Sequence, residues 1–299
     1  MSLVDLSMQE DNALSAQETN QVSSNLSITV LVDNRAGKGL ISEHGFSLWL
    51  RLGNRRILFD TGQGQALAFN ARELGVSLKE TDIIVLSHGH YDHTGGISDV
   101  FRQSQQMEIY CHPGAVLPRY VIRNGISHCI QMPKESIIAI NSIQESKIHW
   151  VSSEPVTFSD GMGITGPIPR NSDFEDVGGP FFLDEKGGRP DRIDDDQALW
   201  INTGEGLIIC LGCCHAGLIN TLDYICRFTG ISRVRAIIGG LHLLNADERR
   251  LERTISSLKS FSPELIVPCH CTGEQATLLL SEVYRNKTLQ GYSGMTLNF

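Results

Sequence analysis

Apolar residues recur with two periods along this chain, one typical of strands and one typical of helices. Short alternating or continuous apolar runs predict strands at residues 26–33, 46–52, 55–60, 83–86, 108–111, 198–202, 207–211, 234–238, 265–267 and 295–297. Apolar residues at helical spacing predict helices at 65–74, from about 97, up to 228, at 247–261 and at 274–284. The first half is therefore predicted to be β-rich, and the second half to alternate strands with helices.

Two segments depart from this pattern. Residues 1–25 are polar and lack both a basic start and an apolar core, so we predict a flexible N-terminal extension and no secretory signal. Residues 115–195 contain two predicted strands, at 147–151 and 162–165, and are otherwise rich in Gly, Pro and Asp, which predicts long loops over a site. Within them, the acidic run 191–196 is interpreted either as such a loop or as a solvated acidic surface.

The predicted strand at 83–86 ends in an unusual cluster of polar side chains. Three histidines and one aspartate follow it within six residues: His88, His90, Asp92 and His93. Imidazole nitrogens and a carboxylate at one strand end suit zinc, manganese or iron. The alternative, that these are ordinary loop residues, does not account for four such side chains at the end of one buried strand. The cluster predicts a metal site.

Histidines also follow three predicted strands of the second half, namely His215, His242 and His270. Residues at strand ends gather along one edge of a sheet, where α/β proteins usually build their sites. His242 is a better candidate for a proton donor or a substrate contact than for a ligand, because imidazole exchanges protons near neutral pH. The alternative is a separate structural zinc site on the neighbouring cysteines, which would leave the first histidine loop without partner ligands.

Several motifs together carry a resemblance to a known family. His88-Gly-His90-Tyr-Asp92-His93 resembles the HxHxDH signature of the metallo-β-lactamase superfamily. With GCCHAG, GGLH, PCHCTG and an upstream EHG, the chain resembles the branch that includes an archaeal synthase joining a dihydropterin methyl diphosphate to ribofuranosylaminobenzene phosphate. The resemblance spans residues 28–299. It implies an α/β (α+β) fold, a four-layer αββα sandwich, formed as a single domain by residues 26–299.

The resemblance also implies two divalent metal ions, with zinc the expected metal and manganese or iron the alternatives. His88 and His90 would serve one ion and Asp92 and His93 the other, while His215 and His270 would complete the set. Asp92 and His242 are the candidate catalytic residues.

Two further residues have open roles. Asp60 either orients a ligand histidine by accepting its second ring N–H or caps the following helix. His44 either lines the active site or lies on a surface loop.

The chain departs from the superfamily pattern at one position. The strand 207–211 ends in Gly212-Cys213, where a bridging aspartate is expected. His215, Cys213 or the aspartates at 194–196 would then supply the missing ligand. We expect His215 to coordinate and Cys213 to pack beside it.

The charge and the cysteine content limit the possible binding partners and indicate the expected cellular compartment. With 34 acidic and 25 basic residues the formal net charge is −9, which disfavours a nucleic-acid partner. No apolar run approaches the ~20 residues that span a bilayer, so no membrane partner is expected. The eight cysteines are expected to be reduced thiols in the cytoplasm. The expected partner is a small-molecule substrate, and a homo-oligomer remains open.

Three functions are compatible with these features. The leading hypothesis is a hydrolase that uses metal-activated water on an ester, amide or phosphate bond. The first alternative is the pterin transferase reaction of the resembled branch. The second is a catalytically silent metal-binding or redox-sensing protein, because cysteines flank the predicted ligand histidines and thiolates near metals are easily oxidised.

Overall fold

Two sheets and their covering helices make up the part of the chain that the computed structural model describes, residues 25–159 and 161–299. Apart from Asn25, the predicted extension 1–25 lies outside the described residues, and the proposed division into extension and domain stays a prediction. The described strands are β1 (Leu26–Val32), β2 (Ser47–Leu52), β3 (Arg55–Phe59), β4 (Ile83–Val85), β5 (Glu108–Cys111), β6 (Tyr120–Arg123), β7 (Ile126–Cys129), β8 (Ile148–Trp150), β9 (Val156–Ser159), β10 (Met162–Ile164), β11 (Phe181–Phe182), β12 (Ala198–Asn202), β13 (Leu207–Leu211), β14 (Val234–Gly240), β15 (Leu265–Cys269) and β16 (Thr296–Asn298). The described helices are α1 (Leu67–Glu73), α2 (Tyr91–Thr94), α3 (Ile97–Gln103), α4 (Lys134–Asn141), α5 (Leu218–Thr229), α6 (Glu248–Phe261) and α7 (Glu274–Tyr284).

The two large sheets pack face to face. The first has the order β16-β1-β2-β3-β4-β5-β8 and the second the order β15-β14-β13-β12-β10-β9. Buried aliphatic side chains from both sheets meet in one core, for example Ile28 and Leu50 of the first sheet against Leu199, Ile208 and Ile238 of the second. Burial of this apolar area, at roughly 25 cal/mol per Å², is the main force that holds the sheets together.

Helices cover the outer face of each sheet. α1, α3 and α4 pack on the first sheet through an apolar cluster that includes Leu67, Val100 and Ile140. α5, α6 and α7 pack on the second sheet through another cluster, which includes Leu222 and Leu258. The resulting four-layer αββα sandwich confirms the predicted fold class.

α6 shows why the sequence forms a helix at this place. The Asp247 carboxylate accepts a hydrogen bond of 2.7 Å from the Arg250 N–H and caps the first turn. Leu251, Ile255 and Leu258 recur at helical spacing on the buried face. With 14 residues α6 is the longest described helix, and none of the described helices is both long and apolar enough to cross a bilayer.

The parallel parts of the two sheets bring the histidine loops together. β13, β14 and β15 run parallel, and so do β3, β4 and β5. The loops after β4, β13, β14 and β15 therefore lie at the same end of the sandwich. These four loops contain all the histidines that the sequence selected as ligands or proton donors.

The region 115–195 is more ordered than the sequence predicted. Of its elements, only β8 and β10 were expected. Helix α4 and a small sheet of order β11-β6-β7 were missed. β6 and β7 are mostly half-buried or exposed, so their sequences lack the apolar alternation by which strands are recognised. The segment that follows this hairpin contacts the loop after β4, because the Tyr91 N–H donates to the Ile130 carbonyl at 3.1 Å.

Candidate metal centre

The loop after β4 is held in place by Asp60, which is fully buried at the end of β3. One oxygen of its carboxylate accepts a hydrogen bond from the Ser87 N–H at 2.7 Å, and the other accepts from the Ser87 hydroxyl and from His93 Nδ1, both at 2.7 Å. This contact fixes the ring of His93 and directs Nε2 towards the centre of the site. Of the two roles considered for Asp60, this contact matches the orientation of a candidate ligand histidine.

Close approaches of the backbone require glycine at two positions in this region. A Cβ on Gly89, between His88 and His90, would lie 2.0 Å from the carbonyl oxygen of Ala115. A Cβ on Gly212 would lie 2.0 Å from the Ser87 hydroxyl. Any side chain here would push apart the loops that carry the histidines.

His88, His90 and His215 form the first group of candidate ligands. His88 Nε2 lies 2.9 Å from His90 Nδ1, and the His215 ring centroid lies 4.8 Å from that of His88 and 5.0 Å from that of His90. His215 Nδ1 donates to the Val177 carbonyl at 2.9 Å, which leaves Nε2 buried and without a hydrogen-bond partner among the described residues. The structure thus brings His215 to the first two histidines.

Asp92, His93 and His270 form the second group. Asp92 Oδ2 lies 3.7 Å from His93 Nε2 and 3.3 Å from His270 Nε2. The loop after β1 orients His270, because Asn34 Oδ1 lies 2.9 Å from His270 Nδ1 and Asp33 Oδ1 accepts from the His270 N–H at 2.7 Å. Donation from Nδ1 to Asn34 leaves Nε2 of His270 free to bind a cation.

The EHG segment has two separate roles. The Glu43 carboxylate accepts hydrogen bonds from four consecutive backbone N–H groups, those of residues 63–66 ahead of α1. His44 lies at the site, with Nε2 3.2 Å from Asp92 Oδ2, although its side chain is 56% exposed. Of the two interpretations of His44, the structure therefore supports the one that places it at the active site.

Cys213 lies between the two groups of ligands. Its Sγ is 3.2 Å from His93 Nε2 and shares one cluster with His88 and His215 and another with His93 and His270, each cluster within 4.8 Å. For a tetrahedral zinc with one sulfur and one nitrogen ligand, the two donor atoms are about 3.5 Å apart. Cys213 Sγ therefore lies within ligand distance of both groups, and the expectation that it packs beside a ligand stays a prediction.

We predict that X-ray absorption at the metal edge of the purified protein will show a sulfur neighbour at about 2.3 Å besides the nitrogen and oxygen shell. The sulfur contribution should disappear in Cys213→Ser and persist in the control Cys129→Ser, whose thiol is exposed. A shell of nitrogen and oxygen alone in the unmodified protein would restore the expectation from sequence. Sulfur that persists in Cys213→Ser would point to Cys271 instead.

His242 lies beside these groups and borders the open cavity. Its ring centroid is 4.2 Å from that of His215, and its side chain shares a cluster within 4.8 Å with Cys213 and Cys271. His242 Nδ1 is buried and has no hydrogen-bond partner among the described residues. A half-buried imidazole at the cavity wall is suited to the proton-transfer or substrate role that the sequence assigned to it.

Burial keeps three of the histidines neutral in the metal-free chain. It lowers the pKa of His88 well below its ordinary value, with His93 and His90 adding to the effect. It lowers the pKa of His90 to about 3, assisted by the charge of Arg119. It also lowers the pKa of His215, assisted by His242. A neutral imidazole has the free lone pair that a metal ligand needs.

Asp92 and His93 are held in their charged forms instead. Burial alone would lower the pKa of His93, but Asp92 and Asp60 outweigh it and raise that pKa to about 9. Burial alone would raise the pKa of Asp92, but His93, His270 and His44 hold it well below its ordinary value. An ionised carboxylate surrounded by imidazoles provides the negative charge with which a divalent cation pairs.

The donor set fits a divalent transition metal. It combines imidazole nitrogens, one carboxylate and one thiol, which suits zinc and other borderline metals. The unpartnered Nε2 of His215 would cost free energy in a buried site unless a cation or a donor met it. His88, His90 and His215 would hold one ion, Asp92, His93 and His270 a second, and Cys213 lies within reach of both.

The burial of the acidic run 191–196 contradicts one of its two interpretations from the sequence, that of a solvated acidic surface. Asp191, Asp195 and Asp196 are buried, so they do not form a solvated acidic surface; only Asp194 is exposed. Asp195 pairs with the buried Arg119 and accepts from the Gly89 N–H at 2.9 Å, and Asp196 accepts from the Ala216 N–H at 2.7 Å. These carboxylates stabilise the loops after β4 and β13, on which candidate ligands lie.

Strained backbone concentrates at the strand ends of the site. Asp60, Cys214, His242 and His270 all have positive φ, between 47° and 62°. Such conformations cost roughly 1–3 kcal/mol each for residues other than glycine and persist where the surroundings enforce them. The sharp turns that they make re-aim these side chains or their neighbours at the cavity.

Sequence reasoning missed the residues that support the ligands from elsewhere in the chain. Asn34 contacts His270 across 236 positions, and Arg119 contacts Asp195 across 76. Asn34 follows a predicted strand, which was the available signal. Nothing local marked Arg119.

The fold and site define a metal-dependent αββα protein, and comparison with known proteins identifies the family. A sequence model described as the metallo-beta-lactamase superfamily matches residues 43–221. An uncharacterized protein of Methanocaldococcus jannaschii is 31% identical over 268 residues, which cover 89% of this chain and 98% of that protein. The chain therefore belongs to the metallo-β-lactamase superfamily.

Two further similarities bear on the activity. The 7,8-dihydropterin-6-methyl-4-(beta-D-ribofuranosyl)-aminobenzene-5'-phosphate synthase of Methanocaldococcus jannaschii is 29% identical over 294 residues, which cover 92% of this chain and 97% of that protein. A crystal structure of a protein described as a metal-dependent hydrolase of the β-lactamase superfamily aligns with a TM-score of 0.78 and 28% identity, over 91% of this chain and 98% of that one. The resemblance seen in the motifs thus extends over nearly the whole fold.

Proposed function

We propose that this protein is a metal-dependent hydrolase that acts on an ester, amide or phosphate bond of a small molecule. The observation that supports it most is the opening of both ligand groups onto one cavity of about 280 Å³, which His242 also borders. Bound divalent ions would polarise the scissile group and lower the pKa of a water molecule. The chain's own side chains would do the remaining work.

His242 is the proposed proton donor to the leaving group. Its ring stands next to His215 at the cavity wall, and the half-buried imidazole can exchange protons with the cavity. Asp92 would keep His44 and His270 in position through its contacts of 3.2 Å and 3.3 Å, and would contribute the negative charge of the second group. Phe181, whose ring lies 5.3 Å from those of His90 and His215, would exclude water from that side.

A transferase is the second candidate. The 29% identity with the synthase of Methanocaldococcus jannaschii extends over 97% of that protein, which favours a shared site architecture. In a transfer reaction the same cavity would bind a diphosphate leaving group, and an amine or a carbon nucleophile would replace water. Both reactions need the same ligands, so the products distinguish them.

The test is turnover by the metal-loaded protein on a panel of aryl esters, amides and phosphate esters in ¹⁸O-labelled water. Incorporation of one label into the product supports hydrolysis. Unlabelled product that forms only when an aromatic amine is supplied supports transfer. No turnover with either would favour a metal-binding or redox-sensing protein and overturn the proposal.

His242→Gln should lower kcat by roughly 10²-fold on substrates with poor leaving groups, because proton transfer contributes about 10²–10⁴-fold. Substrates with good leaving groups, which need no proton, should be affected much less. Metal content should stay unchanged, since glutamine replaces a residue outside the two ligand groups. His149→Gln is the control, because His149 pairs with Glu108 away from the cavity. Equal losses on both kinds of substrate would contradict the role of proton donor.

A further inference from the structure

An irregular segment between β10 and β11, residues 171–178, packs against the loop after β13. Its Val177 carbonyl accepts the hydrogen bond of 2.9 Å from His215 Nδ1. A Cβ added to Gly178 would overlap Cδ2 of His242. The segment therefore touches both a candidate metal ligand and the proposed proton donor, although it contains none of the candidate ligands itself.

Glu175 ties this segment to the start of α5. One oxygen of its carboxylate accepts from the Ile219 N–H at 2.8 Å, and the other accepts from the Asn220 N–H at 2.9 Å. N–H groups in the first turn of a helix have no acceptor within the helix, and the N-cap residue of α5, Gly217, has no side chain to supply one. The helix dipole also favours a carboxylate at this end. Glu175 thus caps α5 from 44 positions earlier in the chain.

The same helix end connects the segment to the loop of His215. Asn220 Oδ1 accepts from the N–H groups of residues 171 and 172 at 2.9 Å and 2.8 Å, and its Nδ2 donates to the Ala216 carbonyl at 2.8 Å. A Cβ on Gly217 would overlap the Glu175 carboxylate, so the close approach requires glycine there. The segment and the residues next to His215 are therefore held by one set of contacts.

We propose that Glu175 is a positioning residue for His215, acting through the Val177 carbonyl. With Nδ1 donating to that carbonyl, His215 is held in the tautomer whose Nε2 carries the lone pair that a metal ion needs. Removal of the Glu175 carboxylate would release the segment from α5 and let the Val177 carbonyl move away from Nδ1. The inference rests on the proposed function in taking His215 as a metal ligand.

The tautomer of His215 and the metal affinity of the full chain test it. In the metal-depleted wild type, NMR with ¹⁵N-labelled histidine should show the His215 proton on Nδ1. In Glu175→Ala a second form with the proton on Nε2 should appear. Competition with a chromophoric chelator should show one metal ion bound about tenfold more weakly. Glu175→Gln keeps one acceptor oxygen, so both effects should be smaller, and it carries the test if the alanine variant does not fold.

Two control variants separate positioning from a general loss of stability. Asp173→Asn removes another carboxylate of the same segment, one that is exposed in its ion pair with Arg253. Tyr284→Phe removes the hydrogen bond of 3.0 Å from the Tyr284 hydroxyl to the Ile255 carbonyl, which joins α7 to α6. Neither control should change the tautomer of His215 or the metal affinity. An effect of Tyr284→Phe as large as that of Glu175→Ala would contradict the proposed role.

The remaining outcomes also decide the inference. If His215 keeps its proton on Nδ1 and the metal affinity is that of the wild type in both Glu175 variants, Glu175 is only a helix cap and the inference is wrong. It is equally wrong if the tautomer changes while the metal affinity does not. These measurements need no turnover: the expected changes in a protein that turns over no substrate would support the positioning role and overturn the hydrolase. Their absence in an active protein would do the reverse.

Discussion

Replacement of both His88 and His90 by alanine is expected to yield a folded protein that purifies without most of its metal and without activity. The two rings lie 2.9 Å apart at their nearest nitrogens and provide two of the three nitrogens of the first group. Even residues that only orient a ligand typically cost about 10–100-fold in metal affinity when they are replaced. Loss of two ligands should cost more.

Metal content measured by plasma emission spectroscopy, with circular dichroism as the check on folding, tests this expectation. His128→Ala combined with His149→Ala removes two histidines outside the candidate ligand groups and is the matched control. The core between the sheets contains neither His88 nor His90, so the fold should persist. Wild-type metal content in the His88/His90 variant would mean that this loop does not hold the metal.

Arg119→Met is expected to lower the free energy of unfolding by about 3–5 kcal/mol, the range for breaking a buried ion pair from one side. Arg119 is 1% exposed. Its guanidinium donates to both carboxylate oxygens of Asp195, at 2.5 Å and 2.9 Å, and its Nε lies 3.0 Å from Asp191. Methionine fills similar space, but it leaves two carboxylates buried without their cation.

An exposed pair of similar length provides the control. Arg233 Nε lies 2.7 Å from Glu264 Oε1, but the two side chains are 64% and 43% exposed, so Arg233→Met should cost only about 0–1 kcal/mol. Urea unfolding gives both values from the shift of the midpoint at constant slope. Equal, small effects of the two substitutions would show that burial of the Arg119 pair contributes nothing to stability.

The same substitution should weaken metal binding. Asp195 accepts a hydrogen bond from the N–H of Gly89, which lies between two candidate ligands. Without Arg119 the Asp195 carboxylate can shift, and the loop that is hydrogen-bonded to it can shift as well. A decrease of about tenfold in metal affinity is expected, at the low end of the range for residues that support a site. A loss of metal affinity would show that the Arg119–Asp195 ion pair stabilises the loop after β4. A purely structural ion pair would leave metal affinity unchanged.

Much of the fold could be predicted because its strongest signals are local. The hairpin β12–β13 and the helix α7 occupy the ranges that the apolar pattern predicts, since their residues are apolar where they face a core. β6 and β7 escaped prediction because they pack at the surface beside the metal loop. Their burial depends on that loop, and nothing within their own sequences reveals it.

The candidate site likewise has parts that the sequence predicts and parts that it does not. The sequence by itself determined the cluster from His88 to His93, because four ligand-type side chains within six residues at the end of a buried strand are typical of a metal-binding loop. It also selected His215, His242 and His270, since each follows a predicted strand. These inferences needed only the nearest neighbours in the chain.

Tertiary structure alone decided how these parts meet. The central position of Cys213 follows from the approach of the β13 loop to Asp60 and Ser87, which a Cβ at Gly212 would prevent. The burial of Asp195 depends on Arg119, 76 positions away, and the orientation of His270 depends on Asn34, 236 positions away. Local patterns report which face of an element is apolar, whereas a ligand's partners are set by the packing of two sheets, and no short stretch of sequence contains that information.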